Sequence, residues 1–297
     1  MGSNATPNDA PGARTSAERL RAIRHDLSAR LNSREEPAPI TVFILTFCRK
    51  ADLFYGTSLI FNTLRTGFPT ARVIVVDNAS IPEVRGRVAA FAHRTGCEHF
   101  QIDAPCIDHP EFLDAALSAF AGSDHGENTL VFLDPDVCLW ENCEGFEFDG
   151  LMAGRLYRAF RPEITQTLAM PRLHTSFLWI PNGRRLKAAI AECQRHHYDF
   201  RPFDTWSTQL GGRWCRYDTG ASLYAVLGNR MNAFTEEHLK CFDHIFSGCH
   251  IDWLEKALDQ PTLDLFRSIH ERAREGDIAA LRGVGELQDS LWQNPRY

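Results

Sequence analysis

The feature that most constrains this chain is an alternation. Three short runs of β-branched and apolar residues, 40–46 (ITVFILT), 71–76 (ARVIVV) and 129–133 (TLVFL), are separated by stretches of helical character at 52–65, 82–94 and 110–121. Runs this short and this uniformly apolar predict buried strands. A further short strand is predicted at 99–102. Strands alternating with helices predict an α/β fold, a doubly wound, mostly parallel sheet flanked by helices, with ligands at the carboxyl ends of the strands. Asp77 and Asp134 stand at two such ends.

Outside this block the pattern is looser. Leu20, Ile23, Leu27 and Leu31 recur at steps of three and four and predict a helix over 15–33, with Ser16 placed to cap it. That helix reads as a packing element or a surface for homo-oligomer formation, and 35–39 (EEPAP) breaks the chain after it. Beyond residue 145 a strand is expected at 177–180, helices at 183–196, 219–227 and 262–282, and loops at 229–252. Trp179 alternates with Phe177 and is expected in the core. The second half reads as an elaboration of the first.

Composition removes some classes. A net charge of −6, spread along the chain, gives no general attraction for nucleic acid or anionic lipid. No run approaches the roughly 20 apolar residues needed to span a bilayer, and residues 1–14 lack the apolar core of a signal peptide. Nine cysteines without a CxxC pair argue against a zinc knuckle and read as reduced thiols of a cytoplasmic protein.

Asp134-Pro135-Asp136 follows an apolar run directly. Two carboxylates one residue apart at a strand end can share a divalent cation and its waters, and Mg2+ and Mn2+ favour oxygen ligands that bridge to phosphates. Left uncompensated, like charges this close repel, which makes a purely structural role costly. A plain strand-to-turn junction is the competing reading, because Asp and Pro both favour turns.

Taken in order, 40–49 (ITVFILTFCR), 73–80 (VIVVDNAS) and 130–136 (LVFLDPD) resemble the nucleotide-sugar half of GT-A fold glycosyltransferases, in particular the large inverting, nucleotide-sugar-dependent family (family 2-like). The likeness covers residues 40–140, with weaker echoes to about 250. It implies a GT-A type Rossmann-like sheet with an irregular C-terminal acceptor-binding half. It also implies a metal-dependent enzyme that moves a sugar from a nucleoside-diphosphate sugar to an acceptor hydroxyl with inversion, using Mn2+ or Mg2+. The organisation that follows is a tail and helix at 1–36, a catalytic domain at 37–260 (nucleotide-sugar half 37–145, acceptor half 146–260) and a helical extension at 261–297.

Carried over by position, Thr46 and Phe47 would line the nucleoside pocket, and Arg49 would reach a phosphate or close that pocket. Asp77 would accept from the base or ribose, Asp134 would contact the ribose and metal-bound waters, and Asp136 would ligate the metal. His174, in 174–182 (HTSFLWIPN), falls where such enzymes shape the donor-sugar and acceptor pocket, or else is a polar residue at a strand start. Asp218 falls where the family holds its general base, although the usual Glu-Asp is Tyr217-Asp218 here. A helix cap is the structural alternative for Asp218, and Asp204 is the competing base. His244, then His250, are candidates for a C-terminal histidine returning to the metal or diphosphate.

Two rival classes stay open. One is a nucleotidyltransferase of similar fold, although 46–50 (TFCRK) lacks the glycine-rich phosphate loop such enzymes carry. The other is a catalytically inert nucleotide-sugar-binding or interaction module. The acceptor is also open. Aromatic residues between 198 and 217, with Trp206 and Trp214 among Arg201, Arg213 and Arg216, are expected mostly to fill the second-half core. As a surface they could stack a sugar, a peptide or an extruded base, so modified nucleic acid stands beside saccharide and protein as an acceptor.

Overall fold

The structure is a computed structural model and describes residues 16–33, 38–103, 105–158, 167–196, 200–245 and 260–284. Four parallel strands come from the alternating first half: β1 (Ile40–Thr46), β2 (Arg72–Asn78), β3 (Glu98–Ile102) and β4 (Thr129–Leu133). Of the later strands, β6 (Ala153–Tyr157), β8 (Arg172–Ile180) and β11 (Asn232–Ala233) extend the same sheet. Its order is β11-β6-β8-β4-β1-β2-β3, and β8 runs antiparallel to both neighbours. The sheet is therefore mostly parallel, as expected. The crevice between β1 and β4, where the order reverses, is where such sheets take ligands.

Both faces of the sheet are covered, which is why its strands read as unbroken apolar runs. Phe43, Ile74, Val76 and Phe132 face a core closed by α1 (Ser16–Leu31), α5 (His109–Ala121) and α6 (Gly183–His196). Val42, Ile44, Val73 and Val131 face a second core closed by α3 (Leu59–Gly67) and α4 (Pro82–Arg94). Each such side chain contributes roughly 1.5–3 kcal/mol by leaving water. α1 packs through Ile23, Leu27 and Leu31 into the first core. Ser16 is already helical and donates to Glu111 Oε1 at 3.2 Å, tying α1 to α5.

The expected helix over 52–65 is broken into a 3-10 turn, α2 (Phe54–Thr57) and α3. Ile60 N–H leaves the helical ladder and donates to the Pro135 carbonyl at 3.0 Å. The expected helix at 262–282 ends earlier, as α9 (Gln260–Glu275). Gly276 stops it at φ 78 with paired bonds from Gly276 N–H to Ala273 O and from Asp277 N–H to Arg272 O. Trp179 lies in the core, 2% exposed.

The described part of the segment 198–218, residues 200–218, departs from expectation. It forms a hairpin, β9 (Trp206–Leu210) and β10 (Arg213–Tyr217), turned at Gly211-Gly212 and flanked by β7 (Leu168–Ala169). Phe203 is buried, but Trp206 is 44% and Trp214 57% exposed. No described residues form a layer over most of this ribbon's outer side, so these indoles are not core. Trp206 stacks on Tyr217 at 4.2 Å and donates its indole N–H to Ser222 Oγ at 2.8 Å.

Asn78 fixes the approach to α5. Its side chain donates to Ile107 O at 2.7 Å and accepts from Ile107 N–H at 2.9 Å, with all groups buried. Asn78→Ala orphans both backbone groups, each at a cost on the order of 1–3 kcal/mol. Urea unfolding should show a lower midpoint at unchanged slope; a loss below about 0.5 kcal/mol would contradict this role.

Candidate active site

The acidic triplet sits at the carboxyl end of β4, beside the β1–β4 crevice. Four different segments hold its backbone. The carbonyl of Asp134 accepts from Val137 N–H at 3.3 Å, that of Pro135 from Ile60, and that of Asp136 from Ile245 N–H at 2.9 Å. Asp134 N–H donates to Ser176 O at 2.9 Å. The main chain is thus fixed at each residue of the triplet.

His244 arrives by sheet pairing. β5 (Val137–Leu139) and β12 (Phe242–His244) form a two-stranded antiparallel ladder that sets His244 opposite Val137. His244 Nε2 lies 3.3 Å from Asp136 Oδ1. Asp134, Asp136 and His244 each offer a ligand atom, and these atoms lie within 4.8 Å of one another. Two carboxylate oxygens and one imidazole nitrogen fit a divalent cation, and the nitrogen suits Mn2+ better than Mg2+. His250 lies outside the described residues.

Basic side chains surround this cluster. His109 Nε2, at the start of α5, is 3.9 Å from Asp134 Oδ1. His174 packs against His244, ring centroids 4.9 Å apart, and against Tyr157 at 4.6 Å. Ser176 Oγ and Ser176 N–H approach His174 Nδ1 at 2.7 and 3.3 Å, so Nδ1 accepts and the proton resides on Nε2. Burial, then neighbouring His244, Arg172, Arg155 and His109, push His174 well below the usual histidine range. It is a neutral imidazole. Burial also pushes the Tyr157 hydroxyl up to about 12, keeping it protonated.

Asp218 lies next to this group rather than inside it. Arg172, whose guanidinium sits 5.6 Å from the Tyr157 ring centroid, pairs with Asp218 Oδ2 at 3.0 Å. Arg216 Nη2 is 4.0 Å from Asp218 Oδ1. Asp218 does not cap the following helix: α7 (Ala221–Leu227) is capped by Gly220 at φ 81, a backbone conformation that β-carbons disfavour, and Asp218 instead accepts from Thr219 N–H at 3.0 Å. Asp204, the rival, is half-exposed, with Arg201 Nε at 3.7 Å.

The nucleoside-side residues lie at the ends of β1 and β2, where Thr46 and Asp77 are register partners. Thr46 is buried and its hydroxyl donates to Val76 O at 3.2 Å. Phe47 is exposed, and the Arg49 guanidinium covers its ring at 4.7 Å. Asp77 is fully buried; Oδ1 accepts from Ser80 N–H at 3.1 Å, and Oδ2 has no hydrogen-bond partner among the described residues. The turn between them holds Ala79 at φ 57, a conformation costly for a residue with a β-carbon, held by Ser80 Oγ accepting from Cys48 N–H at 3.0 Å.

His109, Arg155, Tyr157, Arg172 and Ser176 were not singled out in the sequence. His109 carried a signal, as a histidine at the predicted start of a helix. The others did not, because the β6–β8 register shifts between Gly154 and Leu156, so simple alternation along β8 does not say which side chains share a face.

No protein-family model matches the chain, and no curated protein matches it. Among solved structures it is similar to the mannosyltransferase PcManGT from Pyrobaculum calidifontis in complex with GDP-Man and Mn2+, at 14% identity over 92% of this chain and 81% of that chain, TM-score 0.42. It is also similar to the glycosyltransferase GlyE in Streptococcus pneumoniae, at 9% identity over 68% of this chain and 46% of that chain, TM-score 0.36. A third is a nucleoside-diphosphate-sugar pyrophosphorylase from Vibrio cholerae, at 8% identity over 66% and 93% of the two chains, TM-score 0.38. The chain thus spans less than half the length of GlyE.

Titration calorimetry with Mn2+ alone should give one site per chain. His244→Ala and Asp136→Asn should each weaken it at least about tenfold, while Asp204→Asn should not. Equal affinity in all four proteins would rule out this donor set.

Proposed function

We propose that this chain is a GT-A type, metal-dependent glycosyltransferase that moves a sugar from a nucleoside-diphosphate donor to an acceptor hydroxyl, with inversion. The observation that carries the reading is the convergence of Asp134, Asp136 and His244 at the carboxyl end of β4, beside the switch point of the sheet. In this reading residues 37–260 form the catalytic unit. The eight described cysteines are free thiols, which supports a cytoplasmic setting.

In this reading Thr46, Phe47 and Asp77 would line the nucleoside pocket. The spare Asp77 Oδ2 would accept an N–H or O–H from base or ribose, and Phe47 offers a stacking face beside Arg49. Asp134, Asp136 and His244 would hold the cation, which when bound neutralises charge on the diphosphate. Arg155 and Arg172 stand near enough to His174 to act on it electrostatically and would add positive potential where the diphosphate departs. Tyr157, protonated, can donate a hydrogen bond there.

Asp218 is the base of choice. The acceptor oxygen forms a bond to the anomeric carbon as the bond from that carbon to the phosphate oxygen breaks. The nucleoside diphosphate leaves with the electron pair, and the hydroxyl proton passes to the Asp218 carboxylate. One displacement with one base gives inversion. Arg172 holds Asp218 at 3.0 Å and so orients that carboxylate.

A panel of nucleoside-diphosphate sugars, scored by release of free nucleoside diphosphate, should identify a donor turned over with Mn2+ and silent with chelator. Asp136→Ala should abolish turnover, and Asp218→Asn should lower kcat about 10²–10⁴-fold with little change in donor KM. Turnover that survives both chelation and Asp136→Ala would overturn the metal-centred mechanism. Release of pyrophosphate from a nucleoside triphosphate and sugar phosphate would point to the nucleotidyltransferase instead.

A further inference from the structure

An open cleft of about 760 Å³ lies beside the candidate active site, walled by α1, the first turns of α5, the end of α6 and the segment 201–205. It meets that site at two places. One rim is His109, 3.9 Å from Asp134 Oδ1. The other is Thr205, whose hydroxyl lies 3.4 Å from that of Thr219, the residue whose N–H is held by Asp218. A ligand in this cleft therefore reaches towards a candidate metal carboxylate at one edge and the candidate base at the other.

The lining specifies chemistry. Four carboxylates, Asp108, Glu111, Asp114 and Asp204, face two guanidinium groups, Arg24 and Arg201. Asp114 is taken up by Arg24 and by Lys187, and Asp108 and Glu111 form the capping box of α5. Asp204 is half-exposed and pairs with Arg201 Nε at 3.7 Å. The cleft thus presents an acceptor-only group at Asp204, a donor-only group at Arg201, and groups that do both at Gln194 and Thr205. Sugar hydroxyls, which donate and accept, match that mixture. The excess of carboxylates opposes an anionic ligand. The volume is that of a small-molecule site, suited to a chain end and not to a flat protein surface.

We propose that this cleft is the acceptor site and that it takes the neutral end of a saccharide, with Asp204 as a sugar-binding group and not the base. The proposal rests on the transferase reading for the word acceptor; the saccharide site itself rests on the cleft. It gives the N-terminal helix, through Leu20 and Arg24, a share in substrate binding.

Binding can be read without turnover, by saturation-transfer NMR on the full chain. The probes are methyl glucoside, methyl mannoside and methyl galactoside as neutral hexosides, with methyl glucuronide and glucosamine as charged ones. Saturation should pass to at least one neutral hexoside. It should be lost in Thr205→Trp, which fills the cleft from an exposed position, and reduced in Asp204→Asn, a near-isosteric change that keeps the fold. Where a donor is turned over, both variants should raise acceptor KM at least about tenfold with kcat nearly kept. Stronger transfer to methyl glucuronide or glucosamine than to every neutral hexoside overturns the proposal, as does a signal that neither variant changes. A protein that binds the hexosides in this way but releases nucleotide from no donor defeats the transferase reading and leaves a saccharide cleft. Donor turnover with a hexoside signal untouched by Thr205→Trp does the reverse.

Discussion

Three backbone hydrogen bonds at Asp134-Pro135-Asp136 organise the rest of this molecule. Each carbonyl is claimed by a different segment: the start of β5, the start of α3, and the residue after β12. Two carboxylates set close together repel, and the chain would relieve that strain by turning one away if the main chain were free. Here rotation of the turn would break contacts to two distant parts of the sequence. One of those contacts splits the helix over 54–67, so local helical continuity has been given up to hold Pro135. The same ladder that secures Asp136 delivers His244, which couples the position of the third donor to that of the first two.

Around this acidic centre the electrostatics are arranged in layers. His174 is neutral because burial disfavours its charged form and four neighbouring basic side chains disfavour it further. A neutral ring lets His174 fill the space between Tyr157 and His244 without adding another positive charge. The charge is left to Arg155 and Arg172. Arg172 also engages Asp218, so the group that would favour a leaving diphosphate also holds the carboxylate proposed to take the acceptor's proton.

Much of this was legible in the sequence, for an identifiable reason. A strand buried on both faces must be apolar throughout, so β1, β2 and β4 announce themselves and so do the polar residues that end them, Thr46, Asp77 and Asp134. Neighbouring Asp77 and Asn78 are separated only by the structure, which gives Asn78 two bonds to Ile107 and leaves one Asp77 oxygen unmatched among the described residues. The second half was harder to read. The register shift between β6 and β8 hides which of 172–176 share a face, and the hairpin of β9 and β10 carries its tryptophans outward, where aromatic content alone suggested core. Helix capping was a fair reading of Asp218 until Gly220, two residues on, was found in that position at positive φ.

The two sides of the site differ in how firmly they are built. The candidate nucleoside and metal residues Thr46, Asp77 and Asp134 stand at the ends of β1, β2 and β4 in a seven-stranded sheet with helices on both faces, and His244 on the β5–β12 ladder beside it. Asp218 follows an edge ribbon whose β9 is mostly exposed and whose inner neighbour, β7, is two residues long. Local opening is easiest where few apolar contacts are buried and backbone bonds face water. Motion of the ribbon would carry Asp218 and Thr219 with it, and with them one rim of the cleft at Thr205. In the proposed reading, a rigid donor side and a yielding acceptor side would let one fixed diphosphate anchor serve while the acceptor enters and leaves, because the segment that must move is not the one that would hold the charge.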